Sequence, residues 1–356
     1  MRSSKIKENK SKITIHMPLS PAKTTAVYDS YWKFAVLRQD IFFNRVKNNS
    51  QPWSNDPILN EYKFTNAYRA SDRVSQYLIN EVIYNKEYPT SPKEIIFRIL
   101  LFKLFNKIET WELLSKHFGV LTHKDYRFSQ YDELLNIAIG SGRRIYSAAY
   151  IMPSGQSYFG HKRKHSNHLR LIEHILSKNT DELLMSAKTM QQAFEVLKSF
   201  PGFGDFLAYQ LLIDINYSEI LNFSESEFVV PGPGARGGIS KCFENTGGLS
   251  HVEIIKMVTD RQEQEFDRLG LSFQTLWGRP LQLIDCQNLF CEVDKYARVK
   301  HPDIKGESGR SNIKQKFRRN YSQIEFSFPP KWGINDKIHE FLNMSRKGAA
   351  VQETLF

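Results

Sequence analysis

Residues Thr189–Ile215 read TMQQAFEVLKSFPGFGDFLAYQLLIDI. The pattern predicts a helix over Met190–Phe200, with Thr189 as its cap. Pro201-Gly202-Phe203-Gly204 breaks that helix, and Asp205–Ile215 begins another with Ala208, Leu211 and Leu212 on its packed side. Helix, x-P-G-x-G, helix is the outline of a helix–hairpin–helix. Gly202 and Gly204 permit a tight turn and expose backbone N–H groups at a helix N-terminus. Such donors suit a DNA phosphate and are indifferent to base sequence. An ordinary turn between two antiparallel helices shares the outline.

Downstream, Glu227–Ile239 reads EFVVPGPGARGGI. Gly232, Gly234, Gly237 and Gly238 around Arg236 predict a loop whose backbone approaches a ligand, with a plain surface loop as the alternative. The stretch has neither the GxxxxGK[ST] of a nucleotide-binding loop nor the strand–turn–helix context of a dinucleotide fingerprint.

Arg279–Val299 reads RPLQLIDCQNLFCEVDKYARV and predicts one helix after a turn at Gly278-Arg279-Pro280. Cys286, Leu289, Phe290, Val293 and Ala297 form an apolar stripe. Asp285, Asn288, Glu292 and Lys295 fall beside it. Charges against a buried stripe are costly unless they pair or face a cleft. Lys63–Tyr84 predicts a second helix of the same design. Its stripe is Ala67, Ala70, Val74 and Leu78, and Asn66, Arg69, Arg73 and Gln76 form its polar band, with Asp72 at the far edge. The two bands either face each other across a cleft or are salt-bridged and solvent-facing.

Further helices are expected over Ala26–Arg45, Glu94–Phe105, Thr110–Phe118, Tyr131–Ile139 and Val252–Leu269. Glu94–Phe105 is apolar enough to be core. His161, His165 and His168 have the spacing of metal ligands, but Lys162, Arg163, Lys164 and Arg170 repel a cation, so a basic, phosphate-facing segment is the stronger reading. Lys300–Arg319 is a basic loop, and Gln323–Phe328 alternates like a short strand. The chain has 356 residues and a net charge of +11, a balance that favours a polyanion such as DNA. Its three cysteines, with no CxxC, exclude a disulfide framework and a zinc site. No apolar run reaches the roughly 20 residues of a bilayer span. No cofactor is implied, and a soluble cytoplasmic protein is expected. Four regions follow: a basic arm (1–25), a helical domain (26–299), a basic extension (300–345) and a tail (346–356). In the tail, Gln352, Leu355 and Phe356 resemble the QxxLF peptide by which bacterial DNA enzymes dock on the sliding clamp.

FTNAYRASDRVSQYL, FPGFGDFLAYQLLID, FVVPGPGARGGI and LIDCQNLFCEVDKY, in that order, resemble the α-glutamyl/putrescinyl thymine pyrophosphorylases. That family is also known as the helical domain associated with 5-hydroxymethyluracil DNA kinases. The resemblance covers Ala26 to Val299. It implies a mainly α fold, a distant branch of the helix–hairpin–helix DNA glycosylases, with two helical lobes around a cleft. It also implies double-stranded DNA with hypermodified bases as partner. Where such glycosylases carry a catalytic Asp, Val230-Pro231-Gly232 stands here, and their frequent hairpin Lys is replaced by Phe203 and Asp205. The usual catalytic pair is therefore not carried over.

Three activities fit. The first is a glycosylase that flips and excises a hypermodified pyrimidine from phage DNA in defence. The second is a transferase that displaces pyrophosphate from an activated hydroxymethyl pyrimidine while building a larger base. The third is a non-catalytic sensor. Asp285, Glu292 and Asp72 are the candidate catalytic carboxylates. Asn66, Gln287 and Asn288 are candidates to read the base edge, and Arg69, Arg73 and Lys295 to hold phosphate or a polar adduct. Arg236 is expected to close over the nucleotide. Gly202, Phe203 and Gly204 are expected to hold the DNA backbone.

Overall fold

The computed structural model describes residues 21–47, 52–148, 152–306, 309–318 and 326–343. The chain is mainly helical. The first half contains α1 (Ala26–Lys47), α2 (Pro57–Glu61), α3 (Arg73–Tyr77), α4 (Pro92–Phe105), α5 (Ile108–Phe118), α6 (Phe128–Gly140) and α7 (Gln156–Phe159). There follow α8 (Lys164–Leu176), α9 (Thr180–Ser186), α10 (Met190–Lys198), α11 (Asp205–Asn216) and α12 (Pro233–Cys242). The last are α13 (His251–Asp260), α14 (Gln262–Arg268) and α15 (Leu283–Lys300). The one sheet among the described residues pairs β1 (Lys23–Thr24) with β2 (Phe243–Asn245), antiparallel. It ties the start of α1 to the end of α12, helped by the Thr25 amide on the Cys242 carbonyl at 2.9 Å.

The buried apolar side chains form one connected core running from α1 to α15. α4 is buried along Ile95–Phe105, as its composition predicts. The two expected helices and the turn between them form. The Thr189 hydroxyl caps α10, Gly202 takes φ +80°, and Gly204 caps α11.

Two elements differ from expectation. Glu227–Ile239 is not a loop throughout, because Pro233 starts α12 and its glycines face α15. A Cβ on Gly238 would sit 2.0 Å from the Phe290 carbonyl oxygen, and one on Gly234 2.2 Å from Cys291 Sγ. The glycines bring two helices together and do not present backbone to a ligand, and Arg236 points outward, exposed. The second difference is Lys63–Tyr84, which is not one helix. Residues up to Tyr68 are largely extended, Arg69–Ser71 is a single 3₁₀ turn, α3 is short, and Leu78–Ile83 winds as a π-helix. Polar side chains take the backbone bonds that a helix needs. The Asp72 carboxylate accepts from the Asn66 amide at 2.8 Å, and the Asn66 side chain donates to the Ser71 carbonyl at 2.8 Å. The π-helix is held by buried Arg98, whose Nε donates to the Val82 carbonyl at 2.9 Å. Val252–Leu269 likewise divides, into α13 and α14 at Arg261.

No described helix is long and apolar enough to cross a membrane. The clamp-like residues Gln352, Leu355 and Phe356, and most of the N-terminal arm, lie outside the described residues, as do residues 323–325 of the expected strand.

Candidate active site

α15 is the hub. It lies between α12, α1 and α13, and one face meets the irregular segment 64–72. Three carboxylates fasten that segment through its own amides. Glu292 Oε2 accepts from Thr65 N–H at 3.0 Å, Asp72 Oδ1 from Asn66 N–H at 2.8 Å, and Asp285 Oδ1 from Arg69 N–H at 2.8 Å. The predicted carboxylates are therefore brought to one segment, in two unlike settings.

Asp285 is buried and has a partner on each oxygen. Its Oδ2 accepts from the Gln282 amide at 3.0 Å, closing a capping box at the start of α15. Burial, reinforced by the charge of Glu225, pushes its carboxyl up to about 7 against those two amides. Arg69 turns away from solvent into a second buried network. Its guanidinium donates to Gln210 Oε1 at 3.1 Å, Tyr217 hydroxyl at 3.0 Å and Asp214 Oδ1 at 2.5 Å. Lys103 meets the other Asp214 oxygen at 2.6 Å. This network braces α4 and α11 against segment 64–72 and leaves Arg69 buried away from any cleft.

Asp72 has the more open setting, while Glu292 beside it is as buried as Asp285. Asp72 is half-buried, and burial pushes its carboxyl up to about 7, with Glu292 nearby adding to the rise against the Asn66 amide. Glu292 Oε2 also meets Lys295 Nζ at 2.6 Å. Arg38 of α1 completes the group. Its Nε donates to the Thr65 carbonyl at 2.8 Å and its Nη2 to Asn66 Oδ1 at 2.7 Å. The Thr65 hydroxyl beside them is buried and finds no partner among the described residues. At the rim, Arg45 stacks over Trp53 at 5.6 Å, and the charge of exposed Arg73 adds to burial in lowering its pKa. Two carboxylates, an amide, an ammonium and guanidinium groups thus converge: Asp72 is titratable near neutrality, and the ammonium and guanidinium groups are suited to hold an anion.

Other predicted residues lie elsewhere. Asn288 is half-buried, on the α15 face shared by Asp285 and Glu292, while Gln287 is buried with Oε1 unpartnered. In the hairpin, Phe203 is buried and spends its amide on the Phe200 carbonyl at 3.2 Å, and Gly204 is exposed. His165 faces Asp132 at 3.2 Å, and His168 bonds Tyr146 and the Pro153 carbonyl, so both brace α8. Sequence reasoning missed Arg38, Asp214 and Lys103. Lys103 and Asp214 are lone charges inside apolar helical runs, which periodicity alone assigns to a helix's wet side, and Arg38 sits in the polar stretch Arg38-Gln39-Asp40.

A family model for the helical domain of 5-hmdU DNA kinase matches residues 25–306, which include every residue of the cluster. The chain belongs to that family. Among curated proteins, a 5-hmdU DNA kinase of Bacillus phage SP10 is 27% identical over 299 residues, 79% of this chain and 46% of the relative. The chain therefore spans about half the length of that relative. No solved structure matches. These matches fall on the hydroxymethyluracil-kinase side of the expected family, and neither supports excision of a base or a glycosylase branch. A 5-hmdU DNA kinase helical domain also fits the basic balance of the chain, +11 over its whole length.

Proposed function

We propose that this chain is a DNA base-modification transferase acting on an activated 5-hydroxymethyluracil in DNA, and that segment 64–72 with α15 is its active site. The observation that carries the reading is the Arg38–Asn66–Asp72–Glu292–Lys295 cluster, in a chain whose family is named for a 5-hmdU DNA kinase. The sequence has no GxxxxGK[ST] loop, which favours acting on an already activated base over transferring phosphate from a nucleotide.

In this reading the flipped base presents its exocyclic carbon, bearing pyrophosphate, to the cluster. An amine attacks that carbon. The new N–C bond forms, the C–O bond to pyrophosphate breaks, and the proton leaving the amine goes to the Asp72 carboxylate. A base that titrates near 7 suits that task. Lys295 and the Arg45–Arg73 rim oppose the charge of the departing pyrophosphate. Glu292 positions Lys295 and the Thr65 amide, and Asn66, held by Arg38, reads the pyrimidine edge.

The test is to supply DNA carrying the pyrophosphorylated base together with candidate amines. Pyrophosphate release with an intact base that carries the amine in its place supports the reading, and alkali-labile abasic sites overturn it.

A further inference from the structure

The cluster leaves unused a second surface, beside the hairpin. α7 is a single turn between two glycines in the left-handed region, Gly155 at φ +68° and Gly160 at φ +74°. Such brackets turn the chain sharply on both sides and make α7 a projecting knuckle. On it Tyr158 is 63% exposed, the most exposed large apolar side chain described. Exposed Lys162 and Arg163 follow at once.

The knuckle is built, not loose. Asn167, 1% exposed, accepts from the His161 amide at 3.0 Å and donates to the His161 carbonyl at 2.8 Å, clamping the turn that presents the two cations. Phe159 meets His174 edge-on at 6.1 Å, and His174 meets Phe200, at the foot of the hairpin, at 6.0 Å. Gly155 and Phe159 line the same crevice as Pro201, Gly202 and Phe203. Knuckle and hairpin therefore form one continuous edge, which presents an aromatic ring, two cations and the exposed glycine of a tight turn.

We propose that this edge is a second DNA-contact element, in which Lys162 and Arg163 hold phosphates and Tyr158 stacks on or wedges between bases. An exposed aromatic among cations is what a base stack beside a phosphodiester backbone selects. The occupant is duplex DNA, and the proposal rests on the reading of the chain as DNA-acting.

The experiment is fluorescence anisotropy of a labelled duplex of about 20 base pairs, titrated with the full chain over a salt series. Lys162→Ala with Arg163→Ala is expected to lower the slope of log affinity against log salt by about 1.8, two phosphate contacts. Tyr158→Ala is expected to weaken binding roughly ten-fold with the slope unchanged. All three side chains are exposed or project from the surface, so melting temperatures should match the parent's. A parent that binds DNA while the variants match it in affinity and slope overturns this surface alone. A parent that does not bind DNA overturns this surface and the DNA-acting reading together.

Discussion

Asp72 and Asp285 share a perturbed acidity and differ in what remains free. Asp285 has backbone amides on both oxygens, whereas Asp72 is half-buried with one oxygen on Asn66. Both carboxyls are raised to about 7 by burial, from an unfolded value near 4. The folded chain therefore holds protons that the unfolded chain releases between about pH 4 and 7. Stability from these groups is complete below about pH 4 and is lost as pH rises through 7. Asp72→Asn removes one share, so its melting temperature should fall less than the parent's between pH 4.5 and 7. Turnover in the proposed transfer should rise with pH through about 7 in the parent and be lost in Asp72→Asn. A variant that turns over normally removes Asp72 as the base. Asp214→Ala probes the other network. It leaves Arg69 and Lys103 buried without their carboxylate, a loss of about 3–5 kcal/mol by denaturant unfolding.

At the scale of elements, the α12–α15 contact is where the site gets its rigidity. Gly238→Ala puts a methyl against the Phe290 carbonyl, where backbone and not a flexible side chain must yield. A destabilisation of about 1–3 kcal/mol is expected, read by thermal melting, with Arg236→Ala on the outer face as a neutral control. These helices also show what the sequence made legible. The hairpin was readable because Pro201 and Gly202 are local signals whose meaning needs no distant partner. α15 and its division into core stripe and polar band were readable from period alone. α12 was not, because glycine reads as loop until a facing helix is known, and the i, i+4 pair Gly234 and Gly238 only makes sense against Cys291 and Phe290. Segment 64–72 was hidden for the opposite reason. Its apolar residues keep a helical rhythm, but Asn66, Ser71 and Asp72 bond the backbone locally, and Glu292 and Asp285 take its amides from more than two hundred residues away. Asn66, Asp72, Glu292 and Lys295, picked out on two separate stretches, are brought together by the fold. Arg38, which orients Asn66, carries no pattern of its own.

For the molecule as a whole, α11 links the hairpin to the Arg69–Asp214 network, spanning about 18 Å at 1.5 Å per residue for its 12 residues. In the proposed reading, DNA held at the hairpin edge is joined by one stiff element to the segment that handles the base. The family match covers residues 25–306, so this whole frame lies inside the helical domain shared with 5-hmdU DNA kinases. The most direct measurement is mass spectrometry of DNA containing pyrophosphorylated 5-hydroxymethyluracil, after incubation with the full chain and an amine donor. The account predicts release of pyrophosphate, a base that carries the amine on its exocyclic carbon in place of pyrophosphate, and loss of both in Asp72→Asn. Abasic sites in place of the adduct, or bound DNA recovered unchanged with every amine supplied, would contradict it.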